Sequence, residues 1–358
     1  MDLSKYISSI SIRKKVGTKS LVVFTKQLST LIAAGLPLVK ALKTLHDQLD
    51  ASFFKDIIKS LADEVESGTN FSEALSRFPN VFPGYYSNMI KAGEMGGMLE
   101  GILKRLAEFL DKSQKLKDKV KSALMYPAFV MLVAVMILVM LMIFVIPTFT
   151  NMFSELGGAL PLPTKILITT SDIVRTTWYL IPLIPVLVMF LFKLLMKNSN
   201  RRCFVDKFKL RVPVVGLLLQ QIGVARFTRT LGTLLSSGVP ILSALETVRD
   251  TIGNEFVARA VMDLRDGIKE GESVSVPMER SKAFPPLVVK MVNIGEETGQ
   301  LDKMLIQIAD NYEEEVDVAI SGLTSLLEPL LIVFMGLVVG FIVVSMFMPL
   351  FSLAKLIE

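Results

Sequence analysis

One stretch limits what this chain can fold into more than any other. The run from Ala123 to Ile146, ALMYPAFVMLVAVMILVMLMIFVI, carries no charged side chain. At about 1.5 Å of helical rise per residue it is roughly 36 Å long, enough to cross a hydrocarbon core of about 30 Å with some tilt. A buried helix of a soluble core is shorter and keeps a polar face, so the run reads as a membrane span. Pro329 to Ala354 is as long and as free of charge. A further candidate, Thr176 to Met196, contains Pro182 and Pro185 and reads as a kinked span, because a bilayer protein tolerates such breaks better than a soluble helix does. The expectation is three crossings, at 123–147, 176–196 and 326–354.

Charge sets the orientation. The chain has 358 residues and a formal net charge of +5, and its charges gather in two blocks, Met1 to Lys121 and Lys193 to Asp317. Lys112, Lys115, Lys117, Lys119 and Lys121 precede the first run; Lys193 stands at the end of the second and Lys197, Arg201, Arg202 and Lys207 follow it; between the two runs the only basic residues are Lys165 and Arg175. The positive-inside bias therefore puts both blocks in the cytoplasm and the 148–175 interval and the C-terminus outside it. Basic residues crowded beside spans are explained by anionic lipid, so membrane lipid is an expected partner and nucleic acid is not. Residues 1–17 mix Asp2, Lys5, Arg13, Lys14 and Lys15 with short apolar pieces, unlike a cleavable signal, and are expected to remain a short cytoplasmic leader. A lone cysteine, Cys203, excludes an intramolecular disulfide, and a lone histidine, His46, excludes a His-rich metal site.

Residues 18–122 read as a helical bundle. Leu21, Phe24, Leu28, Leu31 and Ile32 have helical spacing; Gly35-Leu36-Pro37 breaks the run, with Pro37 suited to the first position of the next helix. Ser52 is a capping residue for a third helix ending near Gly68, and Thr69 or Asn70 starts a short helix through Leu75. After Phe82-Pro83 a helix carrying Tyr85, Met89 and Ile90 leads to a turn, Gly93-Glu94-Met95-Gly96-Gly97. An amphipathic helix then continues through a lysine-rich turn into the membrane. After Pro147 a polar interval with Gly157, Gly158, Pro161 and Pro163 suggests an extracytoplasmic loop.

The second block, 197–325, repeats the first. Phe24-Thr25-Lys26-Gln27-Leu28 through Gly35-Leu36-Pro37 aligns with Phe227-Thr228-Arg229-Thr230-Leu231 through Gly238-Val239-Pro240. With a one-residue slip, Gly93-Glu94 meets Gly295-Glu296, Gly97 meets Gly299, and Tyr126-Pro127 meets Glu328-Pro329. The unit is a helical domain followed by a span, used twice in one direction.

No phosphate loop of the G-x-x-x-x-G-K-[ST] type, no HExxH and no CxxC pair occurs, so the sequence offers no apparatus for catalysis and implies no cofactor. Glu94 and Glu296 read as glutamates at helix entrances that offset the dipole; the functional alternative is a contact or cation site. Glu313, Glu314, Glu315 and Asp317 read as a solvated face, with partner docking as the alternative. Gly336 and Gly340 form a G-x-x-x-G step suited to close helix packing, and Glu328 sits at the cytoplasmic mouth of its span, within reach of water.

The run Lys119-Val120-Lys121-Ser122-Ala123-Leu124-Met125-Tyr126-Pro127, continued through Val130, Ala134 and Leu141 to Val145-Ile146-Pro147, resembles the signature of the type II secretion F protein family, which includes the inner-membrane platform proteins of type IV pili. The duplicated Phe-Thr starts, Gly-x-Pro turns, Gly-Glu pairs and closing Glu-Pro are similar to the rest of that pattern, over roughly Thr18 to Pro349. The resemblance implies an all-α, polytopic inner-membrane protein with two cytoplasmic helical bundles and no enzymatic activity of its own. Its implied partners are a hexameric cytoplasmic assembly ATPase, pilin or pseudopilin subunits, other inner-membrane assembly proteins and further copies of itself. The leader before Thr18 is shorter than in many relatives, and a cation bound to the first domain in some of them carries over, at most, to Glu94. The competing reading is a repeat-built transporter. Such folds put substrate groups at the bilayer midplane on broken helices, and here no acid or base lies mid-span.

Overall fold

The computed structural model describes residues 16–155, 161–177, 199–213 and 215–357, with residues 179, 183, 187, 190 and 196. Among them there is no β-strand; regular structure is helical throughout. The chain divides into two compact units, one holding the segments up to Asp118 and Cys203–Val316, the other Lys119–Arg202 and Asp317 onward.

The first unit starts with α1 (Thr18–Ala33), whose Leu21, Val22, Phe24 and Leu28 form a buried stripe. It stops at Gly35, which takes φ +82°, a left-handed conformation open to glycine and costly for other residues. That turn lets the Leu36 N–H reach back to the Leu31 carbonyl at 3.0 Å, closing the helix end. Pro37 then stands at the N-cap of α2 (Leu38–Gln48), one residue earlier than expected, and its carbonyl accepts from Ala41 N–H at 2.9 Å. Ser52 caps α3 (Phe53–Glu66) as its sequence suggests, its hydroxyl accepting from the Lys55 N–H at 3.3 Å. After Gly68 come the short α4 (Phe71–Ser76), then α5 (Gly84–Met95) and α6 (Leu99–Met140). Phe24, Phe54, Phe82 and Tyr86 make the centre of this set, Phe82 and Tyr86 with ring centroids 5.1 Å apart. Each such fully buried ring or aliphatic chain is worth roughly 1.5–3 kcal/mol over exposure, which is what holds short helices that would not persist alone.

The expected lysine-rich turn before the apolar run is absent: α6 passes through Lys112, Lys115, Lys117, Lys119 and Lys121 as unbroken helix. Lysine is a good helix former, and several of these side chains find carboxylates, so nothing there terminates the helix. The helix also passes Pro127. It widens into a π-turn at Leu141–Val145 and resumes as α7 (Ile146–Glu155). That π-turn lets the helix continue past Pro147: a widened turn removes the ordinary acceptor that proline would leave unmatched and gives its ring room. The 148–175 interval is correspondingly not open loop: α7 continues into it and α8 (Leu162–Thr177) fills most of the remainder. The proposed span 176–196 falls almost wholly outside the described residues.

After α9 (Ser199–Lys209) the chain retraces the first set: α10 (Val215–Ser236), α11 (Ile241–Thr251), α12 (Glu255–Lys269), α13 (Ser275–Ser281), α14 (Pro286–Glu297) and α15 (Leu301–Ile357). Gly238 takes φ +81°, with Val239 N–H on the Leu234 carbonyl at 3.0 Å, and Pro240 is the N-cap of α11. Both sets share one core, running from Leu21 to Tyr312.

In the second unit α7, α8 and α15 meet around Ile146, Leu167 and Ile342. Two hydroxyls on α8 bond to carbonyls of other helices, Thr164 to Ser345 at 2.6 Å and Ser171 to Met142. Two helical stretches, Leu99–Met152 and Leu301–Pro349, are long and apolar enough to cross a membrane. In their most apolar windows only 11% and 17% of residues are buried, the reverse of a soluble core helix, and Phe129, Met136, Phe144, Val333, Leu337 and Phe341 project outward.

Candidate functional site

The Gly-Glu pairs sit in the last turns of α5 and α14, one turn before the loop expected to hold them. Gly93 permits a close crossing: a Cβ there would lie 2.9 Å from Ile102 Cγ1 and 3.3 Å from Leu99 Cα. Gly295 repeats this, 2.9 Å from Met304 Cβ and 3.1 Å from Leu301 Cα. Glu94 does serve a helix start, though not that of the following helix. Its two oxygens accept the N–H groups of Phe71 and Ser72, at 2.6 and 3.1 Å, at the beginning of α4. Glu296 does the same before α13, accepting from Val274 N–H at 2.9 Å and from the Ser273 hydroxyl at 2.6 Å. A carboxylate at a helix start satisfies donors that have no intrahelical partner and sits at the positive end of the dipole. These surroundings do not fit a cation at Glu94. Both oxygens already face amide donors, and among the described residues no group of three or more His, Cys, Asp and Glu gathers to complete a cage.

Gly97 and Gly299 share φ +65° in the turns that follow. Tyr126-Pro127 and Glu328-Pro329 lie inside the long helices α6 and α15, with Tyr126 and Glu328 exposed. Gly336 and Gly340 face open space, with nothing within 4 Å of a Cβ built on either, and so leave a shallow groove along α15.

Charge pairing between the first helix of each set and its long helix was not read from the sequence. In the first set Lys26 donates to Asp111 at 2.6 Å, and Lys115 joins it at 2.9 Å. The Lys26 bond, then the Lys115 bond, hold the Asp111 carboxyl below its ordinary range. In the second set Arg229, 5% exposed, donates through Nε to Glu313 at 2.8 Å and through Nη2 to Asp310. Burial alone would raise the Asp310 carboxyl, but bonds from Lys112, at 2.7 Å, and Arg229 hold it below the ordinary value. The signal was present: the third residue of each Phe-Thr start is a cation, Lys26 or Arg229. Glu313 is thus drawn out of the acidic face expected to be solvated. Glu315 accepts from Gln221 at 2.9 Å, and Asp317 pairs with Lys119.

The two sets are also joined directly. Asn88 on α5 donates to the Thr247 hydroxyl on α11 at 3.4 Å, Arg105 donates to the Ser236 carbonyl, and Lys112 on α6 reaches Asp310 on α15. The arrangement is a braced pair of helical sets in which α6 and α15 carry ion pairs at one end and exposed apolar surface at the other.

Comparison with known proteins agrees with this twofold build. Residues 24–147 and 227–349 each match the model of type II secretion system protein F. The chain is 44% identical over 340 residues to the type IV pilus assembly protein PilC of Myxococcus xanthus, covering 95% of this chain and 82% of that protein. It is 42% identical over 338 residues to PilC of Thermus thermophilus, covering 94% and 83%. It is 37% identical over 345 residues to the type II secretion system protein F of Xanthomonas campestris, covering 96% and 85%. Each matched segment begins at a Phe-Thr start, takes in one helical set, and ends in a proline of an apolar helix. The chain belongs to the type II secretion system protein F family.

Proposed function

We propose that this chain is the inner-membrane platform of a type IV pilus or type II secretion machine, a non-enzymatic part that couples a cytoplasmic assembly ATPase to the extraction and assembly of pilin or pseudopilin subunits. The observation that carries the reading is the doubled family match, each copy a helical set prolonged into an exposed apolar helix. Relatives named for pilus assembly and for secretion both align along nearly the whole chain.

In this reading 18–122 and 197–325 are two repeated cytoplasmic domains, the spans are 123–147, 176–196 and 326–354, and the C-terminus is extracytoplasmic. The unbroken helicity of α6 and α15 supports transmission of a push or twist, because a hydrogen-bonded rod transfers displacement along its axis. The duplicated glycines and Glu94 and Glu296 then serve as framework, keeping each set stiff enough to act as a lever.

Deletion in the organism of origin tests this. Surface filaments or secreted substrate should disappear and return with the gene in trans, while the purified assembly ATPase hydrolyses ATP at an unchanged basal rate. Filaments and secretion at normal levels in the deletion strain overturn it.

A further inference from the structure

The first unit holds a cavity of about 660 Å³ lined from both helical sets. On one side are Tyr85 and Asn88 of α5 and Phe109 and Lys117 of α6; on the other are Arg226 of α10 and Asp250 of α11. The volume is in the range of sites for small organic ligands, about 300–1,000 Å³.

Its wall carries three cations, Lys117, Arg226 and Arg229, and three carboxylates, but they are not paired one to one. The three carboxylates are each paired with a cation: Glu246 with Arg265 at 2.8 Å, Asp250 with Arg249 at 2.9 Å, and Glu313 at 2.8 Å with Arg229, which also serves Asp310. Arg226 has none. It is half-buried, and among the described residues it makes no hydrogen bond and no ion pair. Burial pulls its guanidinium below the ordinary value. Lys117, exposed at the same wall, is likewise uncommitted among the described residues. A guanidinium withdrawn from water without a partner is unfavourable, and five N–H donors in a planar fork are the group best matched to phosphate oxygens.

We propose that this cavity binds a phosphorylated small molecule of about nucleotide size, with Arg226 gripping a phosphate, Lys117 adding a second positive charge, and Tyr85 and Phe109 packing the remainder. Because the walls come from both sets, occupancy braces one set against the other.

The test uses the full chain in lipid nanodiscs. Saturable binding is measured by calorimetry and by melting temperature, with pyrophosphate, AMP, GMP and a cyclic dinucleotide as probes and citrate at equal charge as the control. The expected result is a melting temperature that rises and saturates with at least one phosphorylated probe. Binding should weaken about tenfold in Arg226→Gln and recover partly in Arg226→Lys. Without ligand, Arg226→Gln should melt no lower than the parent, since it removes an uncompensated charge; that separates loss of the site from loss of the fold. The proposal is overturned by no saturation with any phosphorylated probe, by equal affinity in Arg226→Gln, or by citrate acting as well as the phosphates, which would mark a general acid-docking surface.

Discussion

Gly295 and Glu296 perform two separate tasks one residue apart. The glycine lets α15 start against the end of α14, and the glutamate ties α14 to the first turn of α13. A methyl group at Gly295 would meet a backbone atom, Leu301 Cα at 3.1 Å, which cannot swing aside as a side-chain tip can. Gly295→Ala is therefore expected to cost about 1–3 kcal/mol, the range for overpacking, and Gly93→Ala a similar amount. Gly336→Ala, mid-helix with nothing within 4 Å, should leave the melting temperature of the detergent-solubilised protein unchanged or slightly raised, alanine being the better helix former. Equal losses at Gly295 and Gly336 would contradict this division. The Gly-x-Pro turns were legible in the sequence because their chemistry is local: one glycine with φ near +80° and a proline cap within two residues. The role of Glu94 was only half legible. Its partners, the amides of Phe71 and Ser72, lie more than twenty residues earlier, and no local pattern announces a carboxylate that caps a helix other than its neighbour.

At the scale of helices, the ion pairs brace the first helix of each set on its long helix, and the two braces are unequal. The Lys26 side chain is 50% exposed and its pair with Asp111 is worth at most about 1 kcal/mol, as exposed pairs are. Arg229 is buried and serves two carboxylates, which would lose a charged donor in Arg229→Ala. That variant should lose about 1–3 kcal/mol, discounted because Asp310 stays half-exposed and can be rehydrated. Thermal melts of Lys26→Ala and Arg229→Ala under one condition measure the contrast. The same brace sets a pH dependence. The Asp310 carboxyl is held below its ordinary value of 3.8 in the folded chain, so the unfolded chain binds the proton more readily. Its contribution is present in full above that value and lost as pH falls below it through the folded pKa. Melting temperature should drop more gently with acid below about pH 4 in Asp310→Asn than in the parent. A steeper fall in the variant would reverse the sign of the argument. Helix ends were less readable than helix faces: the lysine run looked like a turn and Pro147 like a stop. The structure keeps both helical, because acids on neighbouring elements take up the lysines and a π-turn accommodates the proline.

At the scale of the molecule, the apolar run, the charge blocks and the duplicated order could all be seen in the sequence, since each depends on composition over many residues. The use of one core by both helical sets could not, because it rests on pairings such as Asn88 with Thr247 across 159 positions. Membrane topology is the property that joins these levels, and one reagent decides it. With Cys203→Ser removing the only native thiol, single cysteines at Ser67, Leu162 and Glu270 report the side of the membrane on which each lies. All three positions are exposed on the protein, so failure to react reflects the bilayer and not burial. A membrane-impermeant maleimide added to intact spheroplasts should modify Leu162→Cys and spare Ser67→Cys and Glu270→Cys until the cells are opened. Positively flanked blocks held on one side require an even number of crossings between them, and this pattern is what the proposed spans 123–147 and 176–196 demand. Modification of Glu270→Cys in intact cells would leave a single crossing between the sets. It would put one helical set beyond the reach of a cytoplasmic motor and remove the basis for a platform driven from below.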